Sequence, residues 1–208
     1  GAFADDVVGG RRGRLVGIGA ADRVFGRMNK ALRFGGAGEH VSVTGYKGIG
    51  GSAPRTLSAW IKTSDANGTI ANWGRIGNGA LWNFQLENGV LRLAVQGGFI
   101  RGTSLVNDDK WRHVAVVFPS IGSNVTDAVL FLDGVPDPIA ASGSRAINTG
   151  TTLDVTIGTD HANNHFAGLI DEVRLYDAEL STNDLAGLFL NGTMRFKTSD
   201  VTTPPVVE

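Results

Sequence analysis

The chain has 208 residues, with 19 basic and 20 acidic side chains, 30 glycines and no cysteine. That length suits one large domain, which buries ~70% of its unfolded surface and folds without covalent staples. The lack of cysteine excludes disulfide frameworks, cysteine-ligated zinc and thiol nucleophiles, and the net charge of −1 argues against nucleic acid or anionic membrane as a partner.

Taken in chain order, the dominant pattern is alternation with period two, the mark of half-buried strands. Strands are expected over 14–18, 31–34 and 39–44. Next, Leu57, Ala59 and Ile61 alternate with Ser58, Trp60 and Lys62. Further strands fit 68–73 and 81–87. Asn88-Gly89 follows, a strong hairpin signal because both turn residues take positive φ. Leu91, Leu93 and Val95 then alternate with Arg92, Ala94 and Gln96. Val114, Val116 and Phe118 alternate with Trp111, His113 and Ala115 on the opposite face. Leu130 and Leu132 alternate with Val129, Phe131 and Asp133, and Asp133-Gly134 marks another turn. Two more strands fit 153–158 and 166–176. One helix is expected: Ser181 caps it, Asp184 sits three residues on, Leu185, Leu188 and Phe189 form its apolar stripe, and Asn191-Gly192 ends it.

A dozen short strands and one helix predict an all-β fold, a two-sheet antiparallel jelly-roll sandwich with a short C-terminal helix. The domain is expected over 1–196. Residues 197–208, with Pro204-Pro205, read as a linker into further domains of the same polypeptide, the alternative being a disordered tail. The chain opens without Met and without a signal-peptide pattern, which reads as a boundary in a longer protein or a processed end. No apolar run reaches about 18 residues, so no membrane insertion is expected. Charge is uneven. Residues 1–35 hold seven basic side chains against three acidic, and residues 160–190 hold six acidic against Arg174. These regions are expected to lie side by side and compensate; the alternative is a basic patch for an acidic glycan.

Periodicity also suggests a binding face. If Leu57, Ala59 and Ile61 face the core, Trp60 faces away. The same logic sets Asn83 with Gln85 and Glu87, Arg92 with Gln96, and Trp111 with His113. Tryptophan among amides and charges suits a sugar, whose C–H face stacks while its hydroxyls bond the amides. The competing reading makes Trp60, Trp111 and His113 a second small core under long loops. Trp73 and Trp82, flanking the Gly74–Gly79 stretch, are a further pair, expected as an exposed rim. An enzyme is not expected. Retaining glycosidases need two carboxylates ~5 Å apart, and no strand carries such a pair. Asp171 and Glu172 point to opposite faces, and Asp108-Asp109 falls in a loop. No nucleophile elbow or phosphate-binding loop is present, and His161 and His165 read as exposed loop histidines.

Several stretches carry a resemblance. They are Phe25-Gly-Arg-Met-Asn-Lys-Ala-Leu-Arg-Phe-Gly-Gly with Glu39-His-Val after it, Leu57-Ser-Ala-Trp-Ile-Lys, Lys110-Trp-Arg-His-Val-Ala-Val-Val, Leu130-Phe-Leu-Asp-Gly, and Phe166-Ala-Gly-Leu-Ile-Asp-Glu-Val-Arg-Leu-Tyr with Leu180-Ser. Together they resemble the laminin-G-like jelly-roll domains of the concanavalin A-like lectin/glucanase superfamily. The family's usual opening strand has no counterpart here. The resemblance implies a non-catalytic binding or adhesion module of a larger secreted or cell-surface protein, with a carbohydrate as the favoured ligand. A protein–protein or spacer domain without a sugar site is the alternative. It also implies a structural calcium ion, held by Asp171 and by a backbone carbonyl near Lys30. Calcium takes roughly six to eight hard oxygens, so one carboxylate with carbonyls and water makes a modest site.

Overall fold

The computed structural model describes residues 3–6 and 8–191 of the chain, with the side chain of Asn191 left out. The expected Gly192 helix stop and the 197–208 segment lie outside those residues. Sixteen strands follow in chain order: β1 (Phe3–Asp5), β2 (Arg12–Val16), β3 (Arg23–Phe25), β4 (Lys30–Gly35), β5 (His40–Val43), β6 (Arg55–Lys62), β7 (Gly68–Gly74) and β8 (Leu81–Glu87) make the first half. The second half is β9 (Val90–Ala94), β10 (Phe99–Leu105), β11 (Arg112–Phe118), β12 (Val129–Leu132), β13 (Val135–Pro136), β14 (Ile139–Gly143), β15 (Leu153–Ile157) and β16 (Ala167–Tyr176). Helix α1 (Thr182–Asn191) ends the described chain.

The strands form two antiparallel sheets. One has nine strands, in the order β1-β2-β5-β15-β7-β8-β9-β10-β14; the other has seven, in the order β13-β12-β11-β6-β16-β4-β3. This is the expected jelly-roll sandwich. The alternating apolar side chains of both sheets meet in one core that includes Leu57, Ala59 and Ile61 from β6, Phe84 and Leu86 from β8, and Val114 and Val116 from β11. Burial of this kind supplies the stability, at about 25 cal/mol per Å² of apolar surface. Asn88 and Gly89 take φ of 54° and 81°, and Asp133 and Gly134 take 50° and 83°, the paired positive values that close two-residue hairpins.

Trp73 and Trp82 depart from the exposed rim the sequence suggests. They are cross-strand partners on β7 and β8. Both are fully buried, with ring centroids 5.5 Å apart. Their register places them on the inner face, and the glycine stretch between them is the turn that returns the chain. Four strands escape the alternation rule. β1, β3 and β13 have only two or three residues, and β14 is a largely exposed edge whose sequence hardly alternates. β10 is also missed: its inward position after Ile100 is Gly102, where a Cβ would lie 1.9 Å from the Asp137 carboxylate.

The outer face of the seven-stranded sheet is covered by α1. Ser181 Oγ accepts the Asp184 N–H at 3.2 Å while the Asp184 carboxylate accepts the Ser181 N–H at 2.9 Å, so the cap forms as expected. Leu185 and Leu188 from the helix, Ala115 and Val117 from β11, and Tyr176 and Leu180 build a second small core there. The basic N-terminal and acidic C-terminal regions are neighbours through the β4–β16 pairing. Even so, Arg11 and Arg12 pair with Asp6 and Asp5 of their own region, and Arg174 pairs with Glu172.

Candidate functional site

The expected binding residues divide between the two outer surfaces of the sandwich. Trp60 and His113 are cross-strand partners on β6 and β11. Each is only 3% exposed. Their rings stand 5.3 Å apart, and the Phe189 ring of α1 stacks on Trp60 at 5.7 Å. The Arg27 guanidinium covers the indole from outside at 4.7 Å. These two residues therefore sit in the packed layer beneath the helix. Burial, the largest cause, and nearby Arg174 lower the His113 pKa to about 4, against a smaller opposing pull from Asp133. Trp111 is half-buried just ahead of β11.

Asn83, Gln85 and Arg92 lie on the other side, on the outer face of the nine-stranded sheet. Register explains the grouping. Asn72 on β7 pairs with Asn83 on β8, Thr69 pairs with Gln85, and Gln85 pairs with Arg92 on β9. The same cross-strand row runs on from Asn72 to Thr156 and Ser42. From Asn83 it reaches Ala94 and then Phe99 on β10. The result is a polar trough across the sheet, with an aromatic ring toward one end.

A loop that the sequence marks only by two histidines expected to be exposed, of which His161 is exposed and His165 half-buried, shapes this trough. Residues 158–166 fold across β7 and β8. Asp160 Oδ2 accepts from Asn83 Nδ2 at 2.8 Å, and its Oδ1 accepts the N–H groups of Ala162 and Asn164 at 2.8 and 3.0 Å. The Asn164 amide donates to Thr69 Oγ1 and, at 3.4 Å, to Gln85 Oε1. This cover is why Asn83 and Gln85 are only 5% and 7% exposed. Three buried polar atoms on this face stay unpaired: Asn72 Oδ1, Asn83 Oδ1 and Arg92 Nε. Unpaired buried polar atoms are uncommon and costly, about 1–3 kcal/mol each. Arg92 also pairs with Glu87 at 2.9 Å and lies over the Phe99 ring at 4.6 Å. Beside the loop opens a cleft of about 540 Å³, lined by His40, Thr156, Thr159, Asp160, His161 and His165 among others.

Asp171 occupies the β16 bulge, where Glu172 takes φ of 49°. Its carboxylate accepts the Met28 N–H at 2.8 Å and the Glu172 N–H at 2.9 Å, with a further bond from the Arg27 backbone. Burial, the leading cause, raises its pKa. Gly26 packs so tightly here that a Cβ would stand 2.3 Å from Asp171 Oδ2. Lys30 begins β4 with its ammonium over the Phe25 ring at 4.4 Å. The carboxylate thus accepts backbone N–H donors from both the 26–30 turn and its own bulge. Among the described residues no group of three His, Cys, Asp or Glu side chains is placed to hold a metal ion. As arranged, this carboxylate clamps the 26–30 turn, and a calcium ion there would have to displace its N–H donors.

Arg55 is a second feature with no sequence signal. It is fully buried and has no acidic partner among the described residues. Its guanidinium donates to the carbonyls of Ile49, Gly50, Gly51 and Ala53 and to Thr149 Oγ1. It lies over the Trp82 ring at 4.9 Å, and burial lowers its pKa to about 10. It winds the 49–53 loop around one charge.

The sequence profile of the concanavalin A-like lectin/glucanases superfamily, in its laminin G form, matches residues 34–186. The chain belongs to this superfamily. Solved structures share the laminin G-like sandwich at low identity. Domain 4 of AbnA, a GH43 extracellular arabinanase from Geobacillus stearothermophilus solved with arabinotriose, aligns with a TM-score of 0.65 at 18% identity, over 86% of this chain and 89% of that one. The botulinum neurotoxin serotype D binding domain aligns at 0.61 and 16% identity, over 90% of this chain and 49% of that one. Domains LG4-5 of the mouse laminin alpha1 chain align at 0.52 and 16% identity, over 78% and 46%. This laminin G-like chain therefore spans about half of the toxin and laminin structures. No curated protein matches it in sequence. Among the described residues no helix is long and apolar enough to cross a membrane.

Proposed function

We propose that this laminin G-like domain is a non-catalytic carbohydrate-binding module of a larger extracellular protein, and that it holds saccharide on the outer face of the nine-stranded sheet. One observation carries the reading. Two neighbouring amide oxygens, Asn72 Oδ1 and Asn83 Oδ1, are held on that face with no donor to satisfy them. Both oxygens are buried, so a saccharide reaches them only where the groups covering them move aside; its hydroxyls are then donors of the right kind, and Phe99, one face of which Arg92 covers, lies further along the row. The neighbouring structure solved with arabinotriose supports this class of ligand.

The carboxylates on this face favour binding over hydrolysis. Glu87 lies four residues along β8 from Asn83, ~13 Å at strand rise, while Asp160 bonds Asn83 directly. That spacing exceeds the ~5 Å of retaining pairs and the ~6.5–9.5 Å of inverting pairs. Glu87 is also tied to Arg92 and Arg101.

A glycan array followed by calorimetry tests the proposal, using the wild type and the folded variants Asn72→Ala and Asn83→Ala. Saccharide binding that falls at least about tenfold in both variants supports it. A domain that binds no glycan, or binds equally well after both changes, leaves the protein–protein or spacer reading.

A further inference from the structure

Helix α1 lies on the outer face of the seven-stranded sheet, the side of the sandwich away from the amide row. The Leu180 N–H donates to Thr56 Oγ1 near the start of β6, and Phe189 stacks on Trp60, four residues further along that strand. The helix therefore runs along β6, with its N-terminus by Thr56 and its C-terminus by Trp60. Leu185 and Leu188 face the sheet. Helical periodicity places Asn183, Gly187 and Leu190 on the opposite stripe. That stripe has no charge, where a solvated helix ordinarily carries its charged residues. The one charged side chain of the helix, Asp184, is taken up by the Ser181 N–H and hydroxyl. Leu190 is 72% exposed, and Val129 and Val135 are exposed beside the helix. Val129 pairs with Val117 of the small core, and Val135 follows the Gly134 turn that packs on Ala186 and Phe189.

Charge is divided between the two ends of this face. By the helix N-terminus stand Asp177, Glu179 and Asp184. Glu179 accepts from Ser120, and none of the three forms an ion pair among the described residues. By the helix C-terminus, the Arg27 guanidinium lies over the Trp60 indole, and Arg33, Leu169 and Lys62 form a cross-strand row two residues along β6 from Trp60. Asp109 stands 3.8 Å from Lys62, while the exposed Arg27 and Arg33 have no acidic partner among the described residues.

We propose that this face docks on the same face of a second copy of the chain, across a two-fold axis and with the two α1 helices antiparallel. A two-fold contact is self-complementary, because residue i meets j while j meets i. Antiparallel helices bring the acidic end of each protomer over the basic end of the other. Parallel helices would set acid on acid and base on base, so charge selects the antiparallel pair and a partner with the same division. The uncharged stripe, with Leu190, Val129 and Val135, fills the centre and leaves the charges at the rim, the arrangement of a specific interface. The nine-stranded sheets then face outward on opposite sides of the dimer. The pairing thus leaves the proposed saccharide face free and does not depend on it.

Sedimentation of the whole chain over a concentration series, at about 0.1 M and about 0.5 M salt, tests the proposal. A monomer–dimer equilibrium is expected, several-fold weaker at the higher salt, where exposed charges are screened. Leu190→Glu, Arg33→Glu and Glu179→Lys are each expected to raise the dimer Kd at least about tenfold. The double variant Arg33→Glu/Glu179→Lys exchanges the signs at the two ends and is expected to recover most of that loss, which a merely structural role for either residue would not give. Melting temperatures check that every variant is folded. A chain that stays monomeric up to about 1 mM overturns the proposal. So does a dimer whose Kd is unmoved by Leu190→Glu, or one that the double variant forms no more tightly than either single variant.

Discussion

Asn83 spends its side-chain N–H groups on two neighbours at once, Gln85 Oε1 at 2.7 Å and Asp160 Oδ2 at 2.8 Å. The bond to Asp160 ties a strand residue to a loop 77 positions away. It also orients the amide so that its oxygen, buried on the same face, is left without a donor. A ligand meeting a preset acceptor loses less entropy than one that must order it.

Asp160→Ala removes that tie and both loop N–H acceptors. We expect a stability loss of about 1–3 kcal/mol, because buried donors lose their partner. Hydrogen exchange at the Ala162 and Asn164 amides is expected to speed up before the rest of the domain opens. Unchanged exchange there would show that the loop holds its shape without Asp160.

His113 gives the fold an acid sensitivity. Its pKa falls to about 4 in the folded protein, chiefly through burial, against an ordinary unfolded value of 6.5. The unfolded chain therefore binds the extra proton between those values. Stability is full above about pH 6.5 and declines as pH falls toward 4, by roughly 3 kcal/mol in all. Urea midpoints across this window should slope for the wild type and much less for His113→Leu. Parallel slopes would assign the acid sensitivity to other groups.

The Asp171 clamp makes two claims. Gly26→Ala forces a Cβ against the carboxylate and should cost about 1–3 kcal/mol by overpacking. Calcium and chelator should give the same melting temperature, because the carboxylate already accepts backbone N–H bonds. Saturating binding at a hundredfold excess over Kd adds about 2.7 kcal/mol, a shift of roughly 5–11 °C for a domain this size. A calcium-dependent rise of that order would show that the turn rearranges to admit the ion.

Arg55→Lys keeps the charge but loses the planar fork that reaches several loop carbonyls together. The expected cost is about 2–4 kcal/mol, read by chemical denaturation, from carbonyls left buried without donors. A loss under about 0.5 kcal/mol would mean that water takes over those bonds.

The sandwich was legible because its strands alternate cleanly and its hairpins carry Asn-Gly and Asp-Gly. The site was legible only in part. Alternation put Trp60 and Asn83 on outer faces correctly, but it says nothing of which sheet a strand joins or what lies over it. Trp60 is covered by a helix that starts more than a hundred residues later, and Asn83 by a loop between β15 and β16. Asn72 and Thr69 were missed because β7 shifts register between Thr69 and Ala71, which breaks the count of two. Arg55 was missed because nothing local distinguishes an arginine bound for the interior.

The most direct measurement is an NMR titration of side-chain amide and indole signals with the saccharides that score on the array, beginning with arabinotriose. The account predicts shifts at Asn72, Asn83 and Gln85 while the Trp60 indole stays in place. Shifts centred on Trp60 and helix α1, with the Asn83 face silent, would contradict it.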